Sequence, residues 1–260
     1  MARAPIRVII GPVWPRWTWM RRPIGSDSGR VLPRPVPRRL VQLVVGLMIY
    51  GATMGLMVRS GLGLDPWDVF HEGIAGRTPL SFGTVTIVVG ALVLLAWVPL
   101  RQRPGIGTVA NVVLIGLAAD LTLWLVPEPG PLALQVAFLV VGILGNGLAG
   151  GLYIGAGLGP GPRDGLMTGL VRRTGRSVRV VRTTIELTVL AIGWLVGGTV
   201  GVGTVLYALA IGPVVQVALG WFTVRAPQPS SSPASQASAA AKPSAPVQAG
   251  TTDVAPSARG

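Results

Sequence analysis

Long apolar runs separated by short polar loops occupy the chain between residues 40 and 222. A helix needs about 20 predominantly apolar residues to cross a bilayer, and six runs approach that length: 40–58, 82–100, 106–126, 132–154, 178–196 and 203–222. Because backbone polar groups in lipid must be paired within the segment, each run is expected to be a helix. The fifth run is the weakest, since Arg179 and Arg182 lie near its start and must extend to the membrane surface.

The chain contains an internal repeat with an offset of 96 residues. The stretch GLGLDPWD, which begins at Gly61, returns as GLGPGPRD from Gly157. The same ungapped offset aligns glycines, prolines and charged residues of the two copies: Gly46 with Gly142, Gly51 with Gly147, Gly55 with Gly151, Pro66 with Pro162, Asp68 with Asp164, and Arg77 with Arg173. Chance similarity between apolar helices does not explain such matches, so they indicate a duplication.

The number of spans in each copy and the basic residues set the expected topology. Each copy holds three predicted spans, an odd number, so the second copy enters the membrane in the opposite direction, as in the inverted-topology repeats of many transporters. Of the 22 Lys and Arg residues, Arg59 and Arg77 then fall on the outer side and the rest on the inner side. Positive charge favours the cytoplasmic side, so both termini are expected to be cytoplasmic.

Each copy is expected to form a short extra helix after its first span. Pro66 and Pro162 stand at the first helical position with an aspartate two places later, a typical helix-start pattern. The predicted helices, 66–76 and 162–173, are roughly 16 Å long at 1.5 Å per residue. That is about half the thickness of a bilayer. They either dip into the membrane as re-entrant segments or lie along its surface, and the sequence leaves both arrangements open.

Composition agrees with a membrane protein and excludes several kinds of site. Hydrophobic residues make up 50% of the 260 residues, charged residues 12%, and the mean hydropathy is +0.61, whereas soluble domains carry about 25% charged residues. The net charge of +13 does not indicate nucleic-acid binding, because the arginines lie in tails and short loops. With no cysteine and a single histidine, His71, the chain offers no cysteine-based or multi-histidine metal site. No metal and no cofactor is expected.

Two tails flank the expected membrane domain, 39–223, in which repeat 1 covers about 40–126 and repeat 2 about 132–222. Residues 1–38 are rich in Arg and Pro and lack the apolar region of a signal peptide. Either Met1 or Met20 is the true start. Residues 224–260 are rich in Ala, Ser and Pro and hold too little large apolar surface to fold. Both tails are expected to be disordered and cytoplasmic.

The repeated element contains candidates for a substrate path. Asp68 and Asp164 either cap the short helices, where the positive end of the helix dipole favours a carboxylate, or flank a permeation path from opposite faces of the membrane. Gly63 and Gly159 precede them in turns, where glycine adopts positive φ or lets another backbone approach. In the functional interpretation these glycines expose backbone groups to a substrate.

Other candidates lie inside the predicted spans. An ionisable residue in a span is costly and suggests a functional role, so Asp120 and Glu186 are also candidates for the substrate path. For Glu186 the alternative is a structural pair with Arg182, four residues earlier. The repeated GxxxG spacing is typical of close helix packing, and it predicts that the first and fourth spans cross each other at the following glycines: Gly51, Gly55, Gly147 and Gly151.

Four motifs occur in order between residues 38 and 222: GLGLDPWDVFHEGIA, GIGTVANVVLIGLAADL, GLGPGPRDGLMTGL and RSVRVVRTTIELTVLAIGWLVGGTVGVGT. In these motifs the chain resembles the YczE/YyaS/YitT-type bacterial integral membrane proteins, and most of all their YczE-like branch. The resemblance implies a multi-pass protein of the bacterial plasma (inner) membrane. It implies no substrate, because the activity of these proteins is largely unassigned.

The expected fold is an all-α integral membrane protein with six transmembrane helices in a 3+3 inverted-topology repeat. This architecture favours a transporter of a small molecule or ion, by analogy alone. The alternative is a non-transporting accessory or scaffold protein, and a membrane-embedded enzyme is the least favoured class. A cavity near the midplane would favour transport, and a solid bundle the accessory role. The expected partners are the lipid bilayer and an unknown small solute or ion, with no nucleic acid, and a homo-oligomer stays open.

Overall fold

The computed structural model describes residues 36–222, which form eight α-helices. They are α1 (Val36–Ser60), α2 (Pro66–Ala75), α3 (Phe82–Trp97), α4 (Ile106–Leu125), α5 (Leu132–Ala156), α6 (Pro162–Thr174), α7 (Val178–Leu195) and α8 (Val202–Phe222). The described residues contain no β-strand, which confirms the expectation of an all-helical protein. The expectations for the two tails concern residues that, apart from 36–38, lie outside the described range.

Every predicted span and both predicted short helices are present as helices. Four of them, α1, α4, α5 and α8, are long and apolar enough to cross a membrane. Helix α3 is apolar but has only 16 residues, because it ends at Trp97 and not at the predicted Leu100. Pro99 lacks the N–H group that would continue it. Helix α7 has 18 residues and contains Arg179, Arg182 and Glu186. Membrane crossing by α3 and α7 therefore stays a prediction.

Helices α1 and α5 pack against each other along the centre of the bundle. Gly46 of α1 lies against Tyr153, and Gly142 of α5 lies against Thr53 and Met57. Early residues of one helix thus meet late residues of the other, so the helices are antiparallel. A Cβ on Gly46 would lie 2.8 Å from the backbone nitrogen of Tyr153, which shows that glycine is needed for this close approach.

The GxxxG glycines make a different contact from the one predicted. Helices α1 and α5 do cross, but Gly46 and Gly142 lie at their interface. Gly51 and Gly55 face α4 instead, and a Cβ on Gly51 would lie 2.2 Å from the carbonyl oxygen of Ile115. At the equivalent positions of the second copy, Gly147 and Gly151 face α8. The small residues therefore seat the last helix of each copy on the first helix of the same copy.

Contacts between the two copies recur at the offset of 96 residues. The Gly107 N–H donates to the Leu158 carbonyl at 3.0 Å, and the Gly203 N–H donates to the Leu62 carbonyl at 2.8 Å. The short helices follow the same rule, since α2 packs against α7 and α6 packs against α3. The Trp97 indole N–H at the end of α3 donates to the carbonyl of Pro162, the first residue of α6, at 3.1 Å. Each copy therefore supports the short helix of the other copy.

Gly63 and Gly159 form the turns that lead into the short helices. Their φ angles are 119° and 139°, values that other residues rarely adopt. Each glycine also lies against the first turn of a long helix. A Cβ on Gly63 would be 2.8 Å from Thr204 Oγ1, and a Cβ on Gly159 would be 2.8 Å from Thr108 Oγ1. These turns need glycine for both conformation and space.

The substitution Gly51→Ala tests the contact between α1 and α4. The added methyl group must displace the α4 backbone at Ile115, and overpacking of this kind typically costs about 1–3 kcal/mol. We expect a lower melting temperature for the purified variant in lipid nanodiscs. Gly220→Ala is the matched control, because a Cβ there meets no atom within 4 Å, and it should melt at or above the wild-type temperature. Equal melting temperatures for Gly51→Ala and the wild type would contradict this packing.

Candidate functional site

A cavity of about 300 Å³ lies near half the length of the long helices. Much of its wall comes from residues near the midpoints of their helices: Tyr50 of α1, Val89 of α3, Ile115 of α4, Ile185 of α7 and Ile211 of α8. Since five helices contribute their central turns, the cavity lies inside the bundle and not at one of its ends.

Both short helices begin at this cavity. Their first residues, Pro66 and Pro162, line it. Helix α2 is capped by Asp65, whose carboxylate accepts a hydrogen bond from the Asp68 N–H at 2.8 Å. Helix α6 has Gly161 at the equivalent position, with no side chain to do the same. The N-termini of both short helices, which are the positive ends of their dipoles, therefore point at the same cavity. Of the two N-cap residues, only Asp65 of α2 has a carboxylate.

Arg163 of α6 links the two copies at the cavity wall. Its Nη1 lies 3.1 Å from Asp65 Oδ2, and its Nη2 lies 3.4 Å from Asp68 Oδ1. The two carboxylates are buried, with side-chain exposures of 2% and 0%, while Arg163 retains 31%. The guanidinium lies 5.1 Å from the ring centroid of Trp67, within the range of a cation–π interaction. Arg163 and Trp67 are equivalent positions of the repeat, so the two copies meet here.

The cluster around Arg163 contains more acid than base. One guanidinium serves two carboxylates, and Asp68 Oδ2 has no hydrogen-bond partner within residues 36–222. The ring of His71 lines the cavity and places Nδ1 at 3.3 Å from Asp68 Oδ1, which lies behind it. Burial raises the pKa of Asp68 and the charge of Asp65 adds to this, whereas His71 and Arg163 act to lower it. Asp68 therefore binds a proton more readily than an ordinary aspartate.

Asp164 occupies the part of the wall that the second copy provides. Burial raises the pKa of Asp164, and the nearby charges of Arg182 and Arg163 oppose that rise, as do the Tyr153 hydroxyl and the backbone of Gly161. Asp164 is the equivalent of Asp68, but it forms no ion pair with a guanidinium of the kind that Asp68 forms with Arg163 within the described residues. The two aspartates therefore have different surroundings.

Glu186 lies on the α7 side of the cavity in an ion pair with Arg182. The Arg182 Nε–H donates to Glu186 Oε1 at 2.8 Å, and both side chains line the cavity. This is the i, i+4 pair that the sequence offered as the structural alternative. Glu186 therefore lies in the candidate path with its charge already paired.

Three of the predicted path residues have local structural roles away from the cavity lining. Asp120 of α4 accepts hydrogen bonds from the Ser81 hydroxyl at 2.5 Å and from the Gly83 N–H at 2.6 Å, so it caps the first turn of α3. Gly63 and Gly159 pack against the starts of α8 and α4. That these three residues belong to a substrate path stays a prediction.

The sequence analysis missed Arg163 as a site residue. In the predicted topology this arginine belongs to the inner side, and Asp65 and Asp68, which follow the first span, belong to the outer side. The structure pairs Arg163 with both aspartates. The repeat alignment contained a signal, because the position between proline and aspartate is Trp67 in the first copy and Arg163 in the second. Within the described residues no three His, Asp or Glu side chains are close enough to hold a metal ion.

Three bacterial proteins with similar sequences are each described as uncharacterized. Residues 37–219 match a family of unknown function, DUF6198. The chain is 42% identical over 174 residues to an uncharacterized protein of Haemophilus influenzae, covering 67% of this chain and 80% of the relative. It is 35% identical over 176 residues to the uncharacterized membrane protein YczE of Bacillus subtilis, covering 67% and 82%. It is 23% identical over 177 residues to the uncharacterized protein YyaS of Bacillus subtilis, covering 66% and 88%. No solved structure matches.

The substitution Arg163→Gln tests the contact between the copies. It leaves Asp65 and Asp68 buried without their cation, and removing one member of a buried pair costs about 3–5 kcal/mol. We expect the free energy of unfolding to fall by about 3 kcal/mol, the lower end of this range, because Arg163 is partly exposed and solvent weakens its interactions. This destabilisation should be smaller at low pH, since protonation neutralises the carboxylates. Thermal unfolding of the purified protein in nanodiscs at two pH values measures both effects.

The control for this experiment is Arg172→Gln. Arg172 is exposed and bonds Gln102 Oε1 at 2.6 Å on the surface, so its loss should change the melting temperature little. A loss for Arg163→Gln no larger than that of the control would show that the buried pair does not hold the copies together.

Proposed function

The chain belongs to DUF6198, a family of unknown function with YczE-like membrane proteins among its relatives, and we propose that it transports a small solute or ion across the bacterial plasma membrane. In this proposal six helices span the membrane, and α2 and α6 are re-entrant. Family membership supplies the membrane location but no activity, so the transport step rests on the geometry of the cavity.

The observation that carries the proposal is the cavity at which both short helices begin. In the six-span topology α2 follows a helix that ends outside, and α6 follows a helix that ends inside. Both first turns reach one cavity only if the two segments dip into the membrane from opposite sides. Transporters with inverted repeats place their sites near the midplane, where discontinuous helices begin. Non-helical backbone is tolerated at that depth because it lines a cavity.

The equivalent contacts of the two copies support the inverted repeat. The hydrogen bonds from Gly107 to Leu158 and from Gly203 to Leu62 differ by the repeat offset in both donor and acceptor. A two-fold relation between the copies produces such pairs. Three spans in each copy then reverse the direction of the second copy, and the arginine distribution favours cytoplasmic termini.

Transport by this architecture requires one repeat to move against the other. Arg163 joins the repeats through Asp65 and Asp68 at the cavity wall, so in this proposal the contact breaks and re-forms as the cavity opens. A scaffold protein has no need of such a cavity with buried charges around it, and this favours transport over the accessory role.

Reporter fusions test the topology. Alkaline phosphatase is active only outside the cytoplasm. The six-span model therefore predicts silent fusions after Gln102 and at the C-terminus, and an active fusion after Pro129. If α3 does not cross the membrane, the fusion after Gln102 becomes active and the one after Pro129 silent. An active C-terminal fusion would contradict the inverted repeat.

Cysteine labelling tests whether water reaches the cavity. The chain has no cysteine, so an introduced cysteine is its single thiol. Ala208 is exposed at the edge of the cavity and lines it, whereas its neighbour Leu209 does not line the cavity and is 71% exposed on a surface of α8 that faces lipid in the proposal. A charged methanethiosulfonate reagent should modify Ala208→Cys in intact membranes and leave Leu209→Cys unmodified. Lack of reaction at position 208 from both sides of the membrane would contradict a solute path.

A further inference from the structure

We propose that His71 and Asp68 form a proton-binding relay in the cavity wall, and that the proton is the coupling ion of the transport proposed above. The relay itself rests on the geometry of the two side chains. Its coupling to transport rests on the proposed function, and the two parts are tested by different measurements.

Asp68 has the geometry of a proton site. Its side chain is 0% exposed, and its Oδ1 atom is shared between Arg163 and His71. Its Oδ2 atom has no hydrogen-bond partner within the described residues. A buried carboxylate oxygen without a donor is costly while it carries charge. Arg163 also serves Asp65, so one positive charge faces two negative ones. Binding one proton at Asp68 removes the excess negative charge, and it lowers the cost of the unpaired oxygen because a neutral carbonyl is less costly to bury than a charged carboxylate.

His71 provides the route between the cavity and Asp68. The imidazole ring lines the cavity, whereas Asp68 does not. The ring is held by an edge-on contact with Phe82, with 6.1 Å between ring centroids. A proton taken up from cavity water converts the ring to an imidazolium. The ring then releases the proton on Nδ1 to Asp68 Oδ1, which lies 3.3 Å away. This transfer leaves a neutral imidazole with its proton on Nε2 and a neutral carboxyl group.

The other ionisable groups around the relay are already engaged. Asp65 caps α2 and binds Arg163, and Arg182 and Glu186 of α7 pair with each other. Helix α3, which packs on α2, contributes no ionisable side chain. The remaining ionisable groups that line the cavity are three phenols and the aspartate of α6: Tyr50, Tyr153, Tyr207 and Asp164.

Protonation of Asp68 changes the contact between the two copies. Arg163 binds two carboxylates while Asp68 is ionised and retains one charged partner, Asp65, when Asp68 is neutral. The link between the copies is therefore weaker in the protonated state. A proton that enters through His71 thus favours opening of the cavity, which couples proton binding to the movement of the repeats.

The first experiment measures the relay directly. The chain has one histidine, so protein labelled with ¹⁵N-histidine gives the imidazole signals of His71 alone. We expect the pH dependence of these signals to differ between the full-length wild type in nanodiscs and Asp68→Asn, because Nδ1 of the wild type lies 3.3 Å from a carboxylate that can accept its proton. Glu72→Gln is the control, since this neighbouring acid bonds the Thr199 N–H instead, and its imidazole signals should follow those of the wild type. The same pH dependence for the wild type and Asp68→Asn would overturn the relay.

The second experiment measures coupling to the cavity. Asn at position 68 mimics the protonated acid, so Ala208→Cys should react about fivefold or more faster with Asp68→Asn than without it at pH about 8, a typical size for coupling between sites. The two rates should converge as the pH is lowered, since protonation of Asp68 gives the wild-type background the same neutral side chain. Equal rates at the higher pH would overturn the coupling and leave transport standing. If the imidazole signals depend on Asp68 but the Ala208→Cys thiol never reacts, the relay is supported and the result counts against transport.

Discussion

A guanidinium shared by two buried carboxylates is the interaction on which the rest of the structure depends. Asp65 and Asp68 are buried at the start of α2 and cannot stay ionised there without a cation. The cation comes from the other copy, and Arg163 reaches them because α6 also begins at the cavity. That position of α6 requires the turn at Gly159 and the anchor from Trp97 to the Pro162 carbonyl. The ion pair between Arg163 and the two aspartates therefore requires a particular backbone conformation at the start of α2 and at the start of α6.

The two copies are interlocked, because each holds an element of the other. Helix α2 rests on α7 and α6 rests on α3, so neither copy has a complete core of its own. Glycines make the interlocking possible. At Gly46 and Gly142 they let α1 and α5 touch, and at Gly51 and Gly147 they seat α4 and α8. Between helices in lipid, association relies on such close packing and on hydrogen bonds. The polar centre and the glycine-lined interfaces therefore act together.

Much of this architecture could be predicted from the sequence. The apolar runs located the helices, the Pro-x-Asp elements located the short ones, and the quoted motifs identified the family, which the comparisons confirm. The partners of the charged groups could not be predicted. A charge in a loop predicts the side of the membrane on which the loop lies but not the partner of the side chain, and the partners of Arg163 are Asp65 and Asp68 of the other copy. Asp120 lies in a predicted span and is a candidate for the path, whereas in the structure it accepts a hydrogen bond from Gly83, 37 residues away in sequence, and so caps α3. Such long-range pairs leave no local pattern.

The sequence distance between the members of the central ion pair has a consequence for biosynthesis. Arg163 follows Asp65 by 98 residues and Asp68 by 95 residues. At about 5–20 residues per second, the ribosome needs roughly 5–20 s to supply the arginine after the aspartates have been made. During this interval α2 has neither the cation of Arg163 nor the surface of α7 on which it packs. The contacts that hold α2 in the finished fold are therefore completed only after the second half of the chain has been made.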